Sequence, residues 1–345
     1  MIPEEKKAVV AWALQEAFGV GEFEEIQTLA HGVTSALMSR IVVRGRPYAL
    51  RVCMRTDGMN EPTRQFACMK IAAEAGIAPP VRYTSIEDRA SIIDFVEARP
   101  LPVTDAVVPL AKTLRAMHAL PAFAKLANAY DTAPTFLLRS SPLRDGFLQR
   151  FRAAGILPEN EADELLELHA RLDRAYPRPD SDLVSSHNDL KPANMLFDGV
   201  RLWFIDWEAA FLNDRYNDLA VMANFVVTND VEEEIYLQTY FDETAGDYRR
   251  ARFYVMRQIV HLFYAMVFLS LGALGKPVDA SQLAPDFRDL HNRIWIGAAS
   301  LEGPERKVQF GRVHMNRLLQ NTRSKRFQDA LRILSGRPAG GQPDS

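Results

Sequence analysis

The chain has 345 residues, of which 48% are hydrophobic and 25% charged, with a formal net charge of -3 and a pI of about 6.2. That composition supplies a sizeable core and excludes a disordered chain, and the length asks for two lobes rather than one. The mildly acidic balance gives no broad attraction to nucleic acid or to an anionic membrane surface, so neither is expected as a partner.

In chain order, residues 4–18 predict an amphipathic helix with Val9, Trp12, Ala13, Leu14 and Phe18 available to pack. This start lacks the long apolar core of a signal peptide. SRIVVRG and RPYALRVCMR follow as β-rich runs, joined by turn chemistry at residues 44–47. Residues 64–75 read as a helix that stops at Gly76, and VRYTSI and ASIIDFVE read as two further strands. From Asp105 the pattern turns helical, in DAVVPLAKTLRAMHAL, ENEADELLELHARLDRAY and VEEEIYLQTYF.

These changes predict an α+β chain of two unlike lobes. Residues 1–96 form a small β-rich lobe and residues 97–335 a large, mostly helical one. The Pro/Gly-rich residues 336–345 read as a disordered tail. The apolar stretch 259–275 is almost long enough to span a bilayer, but it reads as a buried helix without membrane insertion. Cys53 and Cys68 support no disulfide framework, which points to a reducing, cytoplasmic setting.

The chemistry concentrates in HNDLKPANMLFDGVRLWFIDWE, residues 187–208. Residues 195–197 are a strand candidate, Asp198-Gly199 is a hairpin turn, and residues 200–205 return. Such a hairpin brings Asn194 and Asp206 to one open end, with Asp189 in the loop just before it. Two carboxylates and a carboxamide suit metal-assisted phosphoryl transfer. Mg²⁺ takes hard oxygen ligands from one or two carboxylates and from substrate phosphates. Asn194 and Asp206 are the expected Mg²⁺ ligands against ATP, and Asp189 the expected base on the acceptor hydroxyl. Positioning and charge neutralisation carry such a reaction, so no nucleophilic Ser or Cys is required. His187 reads as a structural hydrogen-bonding residue. Lys191 is a candidate phosphate contact, with a solvated loop lysine as the bland alternative.

His187, Asp189, Asn194 and Asp206 fit the pattern H-x-D-x-x-x-x-N followed by a metal-binding Asp. On these residues the chain resembles the protein-kinase-like phosphotransferases that act on small molecules, the aminoglycoside phosphotransferase and choline kinase superfamily. IDWEAAFLNDRYNDLA, residues 205–220, is similar to the choline/ethanolamine kinase branch. The resemblance covers roughly residues 25–300 and is tightest at 183–225. It implies a two-lobe protein-kinase-like fold, ATP and Mg²⁺ as cofactors, and Asp218 as a structural brace of the catalytic loop.

Leu29 to Ser35, LAHGVTS, falls where the family covers the phosphates, which nominates Gly32, Thr34 and Ser35 as nucleotide contacts. Arg51 stands where many relatives carry a phosphate-binding Lys. Gln65 occupies the place of that residue's usual Glu partner, and Glu61, one turn earlier, is the substitute. The backbone of Asp94 to Val96 is expected to meet adenine.

Asn188 in place of the loop Arg, DWE in place of DFG, and the lack of an APE-like segment argue against a protein kinase. The expected acceptor is small and cationic. Choline or ethanolamine leads, ahead of an aminoglycoside, thiamine, an amino sugar or another amino alcohol. A nucleotide-binding pseudokinase or regulatory module is the reading from another class. Trp207 and Glu208 are the acceptor-binding candidates. Phe225, Tyr236, Tyr240, Phe263, Tyr264 and Trp295 are further aromatics that suit cation–π contact. Glu232 to Glu234, at a helix start, read as solvated charges that favour the helix dipole. The sequence leaves the oligomeric state open.

Overall fold

The computed structural model describes residues 2–29, 36–53, 62–124, 133–279 and 284–336. Gly32, Thr34, Ser35 and Glu61 therefore lie outside the described residues, as does the tail beyond Gly336.

Helix α1 (Lys7–Phe18) follows a short 3₁₀ turn and ends at Gly19 in the left-handed conformation. Its buried residues Val10, Ala13 and Leu14 keep to one stripe. Trp12 is a correction: two positions from Val10 on a helix of 3.6 residues per turn, it lies off that stripe and is 57% exposed.

Next come β1 (Glu25–Thr28), β2 (Ala36–Val43), β3 (Arg46–Cys53), α2 (Pro62–Glu74), β4 (Val81–Ser85) and β5 (Ala90–Asp94). The strands form one antiparallel sheet in the order β1-β2-β3-β5-β4. Val43 pairs with Arg46, so Arg44 and Gly45 are the whole β2–β3 loop, at φ 51° and 71°. A two-residue loop with both φ values positive matches the twist of the flanking strands. Strand β1 went unpredicted because EIQT has a single apolar residue and shows no alternation.

Ile41, Val43, Leu50, Val52, Ala90 and Ile92 of the sheet join α1 in the small lobe's core. Helix α2 behaves differently. Its Phe66, Cys68, Met69 and Ala72 belong to the core of the large lobe, together with Ile77 and Ala78. Thus α2 fastens the sheet to the rest of the molecule.

The large lobe contains α3 (Val103–His118), α4 (Pro142–Ala153), α5 (Glu159–Ala175), β6 (Leu183–Ser186), β7 (Met195–Phe197), β8 (Leu202–Phe204), β9 (Phe211–Asp214), α6 (Arg215–Val226), α7 (Asp230–Phe241), α8 (Asp247–Ala273), α9 (Phe287–Trp295), α10 (Pro304–Thr322) and α11 (Lys325–Ser335). β6 pairs with β9 and β7 with β8, both antiparallel. Asp198 closes the β7–β8 turn by accepting the N–H groups of Val200 and Arg201. That turn is longer than the sequence suggests, and the returning strand begins at Leu202 rather than Val200.

Helix α8 is apolar and long enough to cross a membrane, but 67% of its most apolar window is buried inside the fold. It packs against α6, α10 and α11. A Cβ on Gly311 of α10 would stand 2.8 Å from the Leu269 backbone nitrogen, so glycine sets how closely α8 and α10 approach. The solvated reading of Glu232 to Glu234 fails at Glu233, which is 1% exposed and paired with Arg257 and Arg326.

Candidate active site

Strands β6 and β9 deliver the HND loop, and the β7–β8 hairpin delivers Asn194 and Asp206. Asn188 adopts φ 65°, a left-handed turn that Asn tolerates better than most residues. Its buried carboxamide donates to the carbonyls of Ala209 (3.0 Å), Ser186 (3.3 Å) and Phe211 (3.3 Å). Its oxygen accepts from Asn213 at 2.7 Å. The residue standing for the protein-kinase Arg thus sews the loop to β9, a role the sequence did not signal.

His187 is fully buried. Its Nε2–H donates to the Ile205 carbonyl at 2.9 Å, which ties the loop to the segment carrying Asp206. Asp218, at the start of α6, accepts the backbone N–H groups of His187 (2.8 Å) and Asn188 (3.0 Å). His118 Nε2 lies 3.4 Å from the same carboxylate. Burial pushes the Asp218 carboxyl up, but His118, His187 and the loop N–H outweigh it and hold it below the usual range. The brace around the loop is therefore charged.

The Asp189 carboxylate is half-exposed and accepts from Lys191 Nζ at 2.8 Å and from Asn194 Nδ2 at 3.2 Å. Asn194 Nδ2 also donates to the Asp189 carbonyl at 2.8 Å. Those bonds use the amide hydrogens of Asn194 and leave its oxygen for a hard cation. The Ile205 N–H donates to the Asn194 carbonyl at 3.0 Å, so Asp206 follows within one residue of that contact. Asp206 itself is left-handed, at φ 66° and ψ 67°. The donor set, one carboxamide oxygen and one carboxylate, fits Mg²⁺ shared with phosphates rather than a closed protein cage. Among the described residues no group of three or more His, Cys, Asp or Glu gathers for a metal.

Arg51 reaches into this end from β3. Its guanidinium donates to Asp206 Oδ1 at 3.1 Å and pairs with Glu208. Asp206 and Glu208 are thus the carboxylate partners of Arg51 among the described residues. Gln65, at the usual partner's place, is buried with its side-chain oxygen unbonded. The Glu208 backbone carbonyl in turn accepts from Arg64 of α2.

The acceptor candidates need correction. Trp207 is 1% exposed, its indole N–H donates to the Phe204 carbonyl, and its ring lies 4.9 Å from that of His187. It is core beneath the loop, because the 3₁₀ turn after Asp206 points it inward. Phe225, Tyr236, Tyr240 and Phe263 are also buried, whereas Tyr264 and Trp295 are partly buried against the core. Burial pushes the Tyr264 hydroxyl up, and the negative charges of Asp189 and Asp218 push it further. Trp295 donates its indole N–H to Leu101 of the inter-lobe segment at 2.7 Å.

In that segment, the N–H groups of Asp94 and Phe95 are used by Pro80 (2.9 Å) and Pro47 (3.4 Å). The Asp94 side chain pairs with Arg82. The expected adenine contact by the backbone of Asp94 to Val96 therefore cannot use those two N–H groups. Val96 makes no backbone N–H bond to another described residue.

Comparison with known proteins agrees with this fold. The sequence model of the phosphotransferase enzyme family matches residues 25–254. A choline/ethanolamine kinase family protein from Mesorhizobium loti superposes with a TM-score of 0.63 at 18% identity, over 97% of this chain and 99% of that one. A spectinomycin phosphotransferase, solved with ADP and spectinomycin, superposes with a TM-score of 0.52 at 12% identity, over 89% and 98%. At these identities the likeness is one of fold. Protein LicA of Haemophilus influenzae is 39% identical over 75 residues, 22% of this chain. The match spans about a quarter of that relative's length, 26%.

Proposed function

This chain belongs to the phosphotransferase enzyme family, and we propose that it is a small-molecule kinase that moves the γ-phosphate of ATP to a hydroxyl of choline or ethanolamine. The observation that carries the reading is the contact set Asp189–Asn194–Asp206 on one loop and hairpin, with Arg51 entering from the opposite lobe.

The residues divide the work. Asp189 accepts the hydroxyl proton as the oxygen attacks, and its bond to Lys191 Nζ holds the carboxylate and brings positive charge beside the transferring group. The side-chain oxygens of Asn194 and Asp206 would hold Mg²⁺, which would supply positive charge against the phosphates. Arg51 is a fork of donors for phosphate oxygens, held by Asp206 and Glu208. Glu208 therefore supports the nucleotide side and is withdrawn from the acceptor side. Tyr264 and Trp295 supply the rings for a quaternary or primary ammonium, which a ring face attracts by about 0.5–2 kcal/mol. The likeness to the Mesorhizobium loti choline/ethanolamine kinase family protein supports an amino alcohol ahead of an aminoglycoside, thiamine or an amino sugar.

ADP release with Mg·ATP across choline, ethanolamine, other amino alcohols, thiamine and aminoglycosides tests the acceptor. Turnover with an amino alcohol, lost in Asp189→Asn, is expected. Turnover with an aminoglycoside alone would reassign the acceptor. Nucleotide binding without acceptor-dependent ADP would favour the binding-module reading.

A further inference from the structure

Behind the catalytic loop a buried chain of polar groups runs to a helix that the transfer chemistry does not otherwise use. Tyr240 on α7, His118 at the end of α3 and Asp218 on α6 are 4%, 8% and 0% exposed. Tyr240 Oη lies 2.7 Å from His118 Nδ1, and His118 Nε2 lies 3.4 Å from Asp218 Oδ2. The phenol ring meets the imidazole edge-on, with centroids 5.5 Å apart.

Proton counting fixes the directions. Burial lowers the proton affinity of His118 despite the neighbouring Asp218, so the ring is neutral and carries one N–H. Asp218 is ionised and only accepts. With the proton on Nδ1, the bare Nε2 would face the carboxylate, two acceptors without a hydrogen between them. With the proton on Nε2, that nitrogen donates to Asp218 and Nδ1 must accept from Tyr240. The Tyr240 hydroxyl, 2.7 Å from Nδ1, is the group that can give it a proton.

We propose that Tyr240 is a positioning residue for transfer: its hydroxyl fixes His118 in the Nε2–H tautomer, and that tautomer holds Asp218 on the two N–H groups that precede Asp189. This deepens the reading of Asp189 as the base and depends on it. The left-handed Asn188 N–H is one of those two groups, so a swing of Asp218 loosens the turn that aims Asp189. A misplacement of about 1 Å can cost a hundredfold in rate, and a neutral hydrogen bond is worth about 1 kcal/mol net.

Tyr240→Phe removes the hydroxyl and keeps the ring packing. The expected result is a kcat lowered about tenfold, with KM for ATP and acceptor within about twofold, as befits lost positioning rather than lost binding. ¹⁵N spectra of His118 should show a single Nε2–H tautomer in the parent enzyme and a mixture in Tyr240→Phe. A protonated Nδ1 in the parent enzyme overturns the proposal, and this holds even if Tyr240→Phe does not fold. So does an altered tautomer with unchanged kcat, or a kcat that falls only in proportion to the folded fraction. The spectra need no turnover, so they fail independently of the role given to Asp189, which Asp189→Asn tests by itself.

Discussion

Arg51 of β3 bridges Asp206, at 3.1 Å, and Glu208, two residues on in the same segment. One guanidinium thereby links the small lobe's sheet to the end of the hairpin that carries the expected metal ligand. Lysine is a point charge and cannot span both carboxylates as a fork. Arg51→Lys should raise KM for ATP about tenfold, roughly 1.4 kcal/mol, with a smaller change in kcat. Glu208→Gln should move KM for ATP in the same direction and leave KM for the acceptor unchanged. An effect of Glu208→Gln confined to the acceptor would return that residue to the acceptor site. Steady-state kinetics with each substrate varied in turn reads the difference.

Asp189 and Lys191 should separate in the same assay. Asp189→Asn keeps shape and removes the proton acceptor, so transfer should fall by at least about a hundredfold while nucleotide still binds. Lys191→Ala leaves the base in place, and its kcat should fall less. Calorimetric titration with ATP measures the retained binding.

Stability should fall in mild acid. His261, His291 and His314 are buried together, with His261 and His314 in Nδ1–Nδ1 contact at 2.9 Å. Burial pushes all three down, reinforced by nearby arginines at His261 and His291 and by those two histidines at His314; His291 falls to about 3. The unfolded chain binds protons at these sites from about pH 6.5 downward, and the folded chain does not. Their contribution is therefore complete above pH 6.5 and lost as pH falls below it, by about 1.4 kcal/mol per pH unit for each histidine. Asp214, raised to about 6 by burial, works in the opposite sense between about pH 6 and 4, one group against these three and the likewise lowered His118 and His169. Urea unfolding from pH 7.5 to 5 should show this slope, and a flat profile would contradict neutral burial.

Packing gives a fourth expectation. Gly311→Ala forces a Cβ to within 2.8 Å of the Leu269 backbone, so α8 and α10 must separate. A loss of about 1–3 kcal/mol is expected from such overpacking, read as a lower urea midpoint.

Much of the site was legible because phosphoryl transfer needs few residue types at short spacing. Asp189, Asn194 and Asp206 lie within 18 positions, and the Asp198-Gly199 turn says how they fold together. Trp207 misled because an indole beside a metal residue looks available in sequence, whereas one turn of 3₁₀ helix decides which way it points. The partner of Arg51 was invisible for another reason: β3 and the segment after β8 meet only through the packing of the two lobes. Asn188 read as a missing arginine, since its four carboxamide bonds depend on the left-handed turn and on β9. Helix α2 was correctly delimited by Gly76, yet its core allegiance to the large lobe has no local signature.

The most direct measurement is ³¹P NMR of the enzyme with Mg·ATP and choline or ethanolamine. The proposed activity predicts a growing phosphomonoester resonance as the γ-phosphate signal falls, abolished in Asp189→Asn. ATP consumed to inorganic phosphate alone, or a phosphomonoester formed equally by Asp189→Asn, would contradict it.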